Sequence, residues 1–244
     1  MLTAEQLSDD LVQLGEFLES KNIIKSANPL IDAGALLIRS GGKRCFIKGL
    51  ELEPVEGDYI RGKEWDSELN IIMTIDISVK DKFCFEDVVK IIVNLEYETL
   101  HVDDARLCRG AWHFDYHVDM DGTGEEEQYR YIHPHYHVHH GGKKVKKLDS
   151  YGDMIVLKSP RLMHHPLDAF LAIDLILSNF LDLTIWKQLR ANTQYKLALK
   201  ESQLNWWKPY YEKLGNYWET MGNSTLKDAK QNLSAMRDLN PHLL

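Results

Sequence analysis

The 244-residue sequence has few cysteines and no long apolar segment. Its three cysteines are widely spaced and odd in number, which argues against both a disulfide framework and a paired-cysteine zinc site. No apolar run approaches the roughly 18 residues of a membrane-spanning helix, and acidic residues stand at the N-terminus where a secretory signal carries basic ones. We therefore expect a cytoplasmic protein with no membrane partner.

Several common catalytic motifs are also missing. The sequence has no Gly-x-Ser-x-Gly elbow, no phosphate-binding P-loop and no dinucleotide-binding glycine pattern. Its formal net charge is −8, from 29 Lys and Arg against 37 Asp and Glu, which argues against a surface built for nonspecific nucleic-acid binding. Protonation of all 11 histidines would add 11 charges and bring the total to +3. The histidines are therefore the chemical feature that sets this chain apart.

Ten of the 11 histidines lie between His101 and His165, and the densest stretch covers residues 111–140. Side chains of a strand alternate between its two faces, so the first half of this stretch divides into an aromatic face and a polar face. The polar face carries His113, Asp115, His117 and Asp119. A second run repeats the alternation with His133, His135, His137 and His139. An acidic, glycine-containing segment separates the runs, which predicts an antiparallel hairpin.

Two adjacent histidine-bearing strands predict a metal site. Residues opposite each other in such a pair are about 4.5 to 5.5 Å apart at Cβ, so several imidazoles can converge on one ion. Burying several imidazoles without such a partner is costly, although solvent exposure or a bound anion stay open as alternatives. The expected cofactor is a divalent ion, Zn first, with Mn or Fe as alternatives. The expected metal ligands are His113, His117, His135, His137 and His139.

The chemistry expected from such a site is metal-dependent hydrolysis of a phosphoester or a nucleic acid, in which a metal-bound water is the nucleophile. His113, Asp115 and His164 are the expected acid–base or ligand groups. Arg161 is expected to hold an anionic substrate. Arg109, Arg130 and the basic segment at residues 141–147 are further candidates for that role.

Two other functions stay open. The histidines could support ribonuclease-like acid–base cleavage without metal. Alternatively, the chain could be a non-enzymatic component of a larger complex that binds a protein partner through its aromatic C-terminal helices. The aromatic residues concerned are Trp186, Trp206, Trp207, Tyr210, Tyr211, Tyr217 and Trp218. Packing in the core is the usual role for such residues, and a partner surface is the alternative.

The second histidine run and the residues after it resemble part of the cupin pattern. The cupin pattern is an HxH strand followed by a turn, a strand, a proline and a third histidine. Here HYHVHHGG supplies the HxH, YGD the turn, MIVLK the strand, SPR the proline and HHP the third histidine. The resemblance covers about 35 residues and lacks the glutamate that cupins carry after HxH. It implies a cupin-like metal protein with ligands at His135, His137 and either His164 or His165.

Periodicity predicts an α+β fold. Thr3 and Gln6 form a capping box before leucines at helical spacing, so residues 3–21 are expected to be an N-terminal helix. A mainly antiparallel β-sheet is expected over about 35–160, starting with a hairpin at Gly41 and Gly42, because the connections are too short for crossover helices. A helical region is expected to pack on the sheet, with a break near Pro209. Residues 1–160 and 161–244 are expected to form one compact domain.

Overall fold

Two helices begin the chain in the computed structural model, which describes residues 3–56, 68–117, 135–141, 162–223 and 239. Helix α1 (Ala4–Ser20) starts at the expected capping box. The Gln6 N–H donates to the Thr3 hydroxyl, and the Thr3 N–H donates to the Gln6 side chain. Helix α2 (Asn28–Arg39) packs against α1. The predicted N-terminal helix is therefore confirmed.

The prediction that the sheet starts near residue 35 is wrong, because residues 35–39 belong to α2. Leu30, Ala33 and Leu37 recur at helical spacing and are all buried, so this segment buries a helical stripe instead of a strand face. Gly41 and Gly42 follow the helix with φ values of +63° and +82°, which glycine adopts without strain. They connect α2 to the first strand and do not form the predicted hairpin turn.

The predicted antiparallel sheet is confirmed, with Arg44 as its first residue and Met163 as its last. The strands are β1 (Arg44–Glu51), β2 (Val55–Glu56), β3 (Glu68–Val79), β4 (Val88–Leu100), β5 (Leu107–His117), β6 (Tyr136–His140) and β7 (Leu162–Met163). Their order in the sheet is β1-β3-β4-β5-β6-β7, and the two-residue β2 pairs with the start of β3. A 3-10 turn at Phe85–Asp87 connects β3 to β4.

The sheet has one apolar face and one polar face. In β3, buried residues alternate with partly exposed ones, as a strand covered on a single side requires. The face that we call the inner face carries Ile75 and Val93, which belong to the hydrophobic core shared with the helices. The opposite face, which we call the outer face, carries polar residues such as Asp76 and Asn94. His113, Asp115 and His117 of the first histidine run lie on β5, and His137 and His139 of the second run lie on β6.

The C-terminal region is helical, as predicted, and its buried residues join the same core as α1 and the inner face. Its helices are α3 (Ala169–Phe180), α4 (Leu183–Ala191), α5 (Thr193–Ser202) and α6 (Lys208–Asn223). A π-helical turn, Gln203–Trp207, joins α5 to α6. The regular α-helical pattern is interrupted near Pro209, as predicted, by this π-helical turn, and the chain stays helical through Pro209 into α6. No helix in the described ranges combines the length and apolarity needed to cross a membrane.

Candidate metal centre

Strands β5 and β6 pair in antiparallel register and bring the two histidine runs together. His113 lies opposite His139, and Asp115 lies opposite His137. Cross-strand partners share a face, and the pairing of Asp115 with Ile92 of β4 places all four residues on the outer face. The predicted antiparallel pairing of the two runs is thus confirmed.

Three of these residues form a group that could hold an ion. The ligand atoms offered by Asp115, His137 and His139 all lie within 4.8 Å of one another. A tetrahedral ion with bonds of about 2.1 Å separates its ligand atoms by about 3.4 Å, so small side-chain rotations would close the group around one ion. The rings of His137 and His139 are nearly parallel, with centroids 5.8 Å apart. The arrangement therefore offers two imidazoles and one carboxylate to the same point.

Two members of this group are unusually buried for the outer face. His137 is 3% exposed and Asp115 is 6% exposed, whereas Asn94 and Ile92 on the adjacent strand are only partly buried. Moving a carboxylate and imidazoles out of water costs free energy unless charges or hydrogen bonds compensate. A divalent cation bound by this group would provide such compensation. Convergence distinguishes Asp115, His137 and His139 from the other histidines that the structure describes, and Asp115 and His137 are also buried.

His113 contacts the group from one side without belonging to it. Its Nε2 lies 2.6 Å from Asp115 Oδ2, and its Nδ1 faces the amide oxygen of Asn94 on β4. The chain of contacts Asn94–His113–Asp115 holds the carboxylate beside His137, whose Nε2 is 4.0 Å from the same oxygen. His113 is therefore placed to orient Asp115.

The other residues predicted as ligands lie elsewhere or cannot be placed. The ring of His135 lies against the ring of Tyr116, with centroids 5.8 Å apart, and is not part of the three-residue group. The backbone of His117 pairs with Lys90 in β4, but its side chain lies outside the described part of the structure. Asp119, Arg130, His133, Arg161 and residues 142–147 also lie outside the described residues.

His164 and His165 are separated from Asp115 by the sheet. The backbone N–H of His164 donates to the Tyr136 carbonyl, and its ring packs edge-on against Phe114 of the inner face, with centroids 5.0 Å apart. His165 contacts Trp207 and lies 3.2 Å from the Tyr211 hydroxyl. Burial lowers the pKa of His164 and lowers the pKa of His165 to about 4. The structure does not bring together the histidine set that the cupin resemblance implies.

Arg109 shares the outer face with Asp115 but lies at the other end of β5. Six residues of extended strand separate the two, which corresponds to about 20 Å. The Arg109 guanidinium is paired with Glu98 of β4, with an Nε–Oε2 distance of 3.0 Å. The described structure therefore does not place this arginine within reach of a substrate at the candidate centre.

Two contacts were missed by sequence reasoning. Asn94 meets His113 because β4 and β5 pair in the register that sets these residues opposite each other. His140 follows directly after the ligand group but lies on the inner face, where its Nε2 is 2.9 Å from the Tyr97 hydroxyl. The sequence did give one sign of the Asn94–His113 contact, because Asn94 is a polar residue within the apolar run VVKIIVNL. The register between the strands was needed to interpret it.

Comparison with known proteins found no matching family model, curated protein or solved structure. The chemistry of the centre is therefore argued from its own residues. Imidazole nitrogen and carboxylate oxygen are ligands that Zn, Mn and Fe accept.

Proposed function

We propose that Asp115, His137 and His139 bind a divalent metal ion and that the bound ion supports hydrolysis of a phosphoester. The observation that carries the proposal is the convergence of three ligand atoms within 4.8 Å at a largely buried point between two strands. Zn is the first candidate for two imidazoles and one carboxylate, with Mn or Fe as alternatives. Three protein ligands leave a coordination position for water, which is typical of catalytic rather than structural zinc sites.

The surrounding residues have roles that follow from this proposal. His113 would orient the Asp115 carboxylate through its contact with Oδ2, as hydrogen-bonded neighbours of metal ligands commonly do. A bound divalent ion lowers the pKa of its water to about 7, which supplies a nucleophile near neutral pH. The water oxygen would lose a proton to solvent and form a bond to phosphorus. The bond from phosphorus to the leaving oxygen would break, and that oxygen would take a proton from solvent to leave as an alcohol. Arg161 and the basic segment at residues 141–147 are proposed to bind the phosphate that is cleaved. In a nucleic-acid substrate they would also bind the adjacent backbone phosphates.

The first experiment measures metal content and affinity. Purified protein is analysed for Zn, Mn and Fe, then stripped with a chelator and titrated with Zn²⁺ in a calorimeter. We expect one equivalent of Zn²⁺ to bind to the stripped protein. His137→Ala and His139→Ala are each expected to weaken binding at least tenfold, because each removes one of only three protein ligands.

His140→Ala is the matched control for these variants. It also removes one imidazole from β6, but from the inner face, so Zn²⁺ affinity should remain within about twofold of wild type. Circular dichroism of each variant checks that the fold is retained. Absence of stoichiometric binding in the folded wild-type protein, or equal loss of binding in His140→Ala, would reject the metal centre.

Hydrolysis is tested separately with the metal-loaded and metal-free protein. A phosphodiester with a chromogenic leaving group and a single-stranded RNA are the two substrates. Turnover that requires added metal and is lost in His137→Ala supports the hydrolase. Binding of metal without turnover of either substrate would support the metal centre but reject phosphoester hydrolysis.

A metal-free acid–base mechanism is the second candidate for the same residues. The 2.6 Å contact between His113 and Asp115 is the observation that favours it, since a carboxylate that orients an imidazole is a common acid–base arrangement. In this mechanism the substrate would replace Asn94 at the other ring nitrogen of His113. RNA cleavage that persists in excess chelator and is lost in His113→Ala would support this mechanism over the metal-dependent one.

A non-enzymatic role in a complex is the third candidate. Tyr211 and Trp218 are exposed on the C-terminal helices, which is the feature that favours a protein partner. This role does not depend on the metal centre.

A further inference from the structure

A cluster of three charged side chains lies on the outer face, on the strands next to the candidate centre. Asp76 of β3 contacts two cations, because its Oδ2 is 2.5 Å from Lys90 Nζ and its Oδ1 is 3.3 Å from Arg44 Nε. The side chain of Asp76 is 15% exposed and that of Lys90 is 34% exposed. We call these three residues the cationic cluster, since two positive charges and one negative charge leave it with a net charge of +1.

The register of the sheet places Lys90 next to Asp115. Asp76, Ile92 and Asp115 pair in turn across β3, β4 and β5, so they form one row on the outer face. Lys90 precedes Ile92 by two residues and pairs with His117, which makes it a diagonal neighbour of Asp115. Diagonal neighbours in an antiparallel pair are about 7 to 8 Å apart, which a long side chain can span. The Lys90 ammonium group can therefore reach a ligand bound at the candidate centre.

The charge of the outer face differs on the two sides of this row. Along β4 the outer face continues from Asn94 to Glu96 and Glu98. Glu98 forms an ion pair with Arg109 that has no net charge, and Glu96 adds a carboxylate. Within the described part of the face, the surplus positive charge next to Asp115 thus lies on the Lys90 side. An anion that approaches the centre is attracted to that side of the row.

We infer that Lys90 binds the phosphate group of the substrate at the metal centre. This inference rests on the proposed function and names the described residue that would hold the anion. A divalent ion bound by the Asp115 carboxylate has a remaining charge of +1, so a phosphate between the ion and Lys90 meets positive charge on both sides. The Lys90 Nζ then donates a charge-assisted hydrogen bond to a phosphate oxygen that is not broken from phosphorus in the reaction.

Arg44 allows Lys90 to leave Asp76 when the phosphate binds. Removing one partner from a buried ion pair normally leaves a charge without compensation, which is costly. The Asp76 carboxylate keeps its contact with Arg44 when Lys90 turns toward the phosphate. The cationic cluster therefore holds Lys90 beside the centre before the substrate binds and can release it at low cost.

Anion binding to the zinc-loaded full chain tests the inference. The probe is methylphosphonate, which has the oxygens and charge of a phosphate but no ester bond to hydrolyse. Calorimetry measures the Zn²⁺ affinity of each protein and then the affinity of the zinc-loaded protein for methylphosphonate. Lys90→Gln is expected to weaken methylphosphonate binding at least fivefold, because it removes a charge-assisted hydrogen bond. Its Zn²⁺ affinity should be equal to that of wild type or higher, because a positive charge near the ion is lost.

Two further variants separate this role from a general effect of charge or folding. Arg109→Gln is the matched control, since it also removes an outer-face cation that is paired with a carboxylate, but one that lies about 20 Å along β5 from Asp115. Its methylphosphonate affinity should stay within about twofold of wild type. Lys90→Arg keeps the positive charge and should restore most of the affinity. A disturbed fold in Lys90→Gln would lower the Zn²⁺ affinity as well, so the opposite directions of the two affinities identify the anion role.

The possible failures of this inference differ from those of the metal centre. Zinc-loaded wild type that binds no methylphosphonate would overturn the role of Lys90 and leave the metal centre in place. Equal binding by wild type and Lys90→Gln, or equal losses in Lys90→Gln and Arg109→Gln, would have the same meaning. A folded wild-type chain that binds no Zn²⁺ would instead reject the centre and this inference together. Methylphosphonate binding needs no turnover, so a lack of hydrolysis does not change these conclusions.

Discussion

Asp168 is a buried carboxyl group at the start of α3. It accepts a hydrogen bond of 2.9 Å from the Leu171 N–H and a second from Ser202. Burial nevertheless dominates and raises the pKa of Asp168 to about 6. Because this pKa is higher in the folded than in the unfolded chain, Asp168 contributes stability that is complete below about pH 4 and is lost as the pH rises through about 6.

Asp168→Asn should therefore reduce the loss of stability between pH 4 and pH 8. Asparagine caps helices as well as aspartate does but carries no charge. The pKa difference corresponds to roughly 3 kcal/mol, so urea unfolding at pH 8 should show a gain on the order of 2 kcal/mol over wild type. The gain should vanish near pH 4.

Asp182→Asn is the matched control for this prediction. Asp182 caps α4 at an exposed site, where hydrogen bonds from the Thr184 backbone and side chain lower its pKa. Replacing it should not improve stability at pH 8. An equal gain in both variants would mean that burial of Asp168 is not the cause.

Gly110 in β5 lies directly under the ring of Tyr97, and this contact explains why the position has no side chain. A side chain there would place its Cβ 2.3 Å from the ring of Tyr97, which crosses β5 at this point. Tyr97 is also 2.9 Å from His140 Nε2 through its hydroxyl. Gly110 therefore leaves space for a tyrosine that links β4 to β6.

Gly110→Ala should displace Tyr97 and cost about 1 to 3 kcal/mol of unfolding free energy. Gly215→Ala in α6 is the control, since a Cβ there meets nothing within 4 Å, and it should stabilise the helix by up to about 1 kcal/mol. Chemical denaturation measures both. In a Tyr97→Ala background the cost of Gly110→Ala should largely disappear, and an unchanged cost would show that Tyr97 is not what the new side chain meets.

At the scale of elements, one ionic contact joins three helices of the C-terminal layer. Asp174 of α3 forms two hydrogen bonds with Arg190 of α4, at 2.9 and 2.6 Å, and accepts another of 2.9 Å from the Tyr195 hydroxyl of α5. The Arg190 guanidinium also lies over the Trp186 ring, 4.9 Å from its centroid. These bonds fix the relative positions of α3, α4 and α5.

Asp174→Ala should destabilise the protein by about 2 kcal/mol, because it leaves a partly buried arginine and a buried tyrosine hydroxyl without their acceptor. Glu212→Ala, which removes the exposed Lys208–Glu212 pair of α6, should cost no more than about 0.5 kcal/mol. Thermal and urea unfolding compare the two. Similar small losses in both variants would show that the Asp174 contact is no stronger than a surface pair.

At the scale of the whole molecule, the proposed metal centre would connect two strands. Asp115 belongs to β5, and His137 and His139 belong to the five-residue β6. An ion bound by all three would add to the backbone hydrogen bonds between these strands. Metal binding should therefore raise the free energy of unfolding of the whole chain, in addition to any part it has in catalysis.

Zn²⁺ at 100 times its dissociation constant should raise the unfolding free energy by about 2.7 kcal/mol and the melting temperature by roughly 5 to 10 °C. Scanning calorimetry of the chelated protein, before and after Zn²⁺ addition, measures the shift. Asp115→Asn combined with His139→Ala should show almost no shift, whereas His140→Ala should keep it. A shift of equal size in all three proteins would indicate zinc bound elsewhere.

Local patterns in the sequence determined much of this architecture. The capping box at Thr3 located α1, and the alternation along residues 68–79 located β3. The two histidine runs were recognisable as neighbouring strands from their common alternation and the acidic, glycine-containing sequence between them. Helical and strand periods are properties of residues close together in the chain, so one sequence is enough to show them.

Only the tertiary structure decided which residues meet and which are buried. It placed residues 35–39 in α2, and it set His164 on the opposite face of the sheet from Asp115. It also brought Asn94 to His113, and it divided the C-terminal aromatics into the buried Trp206 and the exposed Trp218. Strand register and helix packing join residues far apart in the chain, and no local period encodes those contacts.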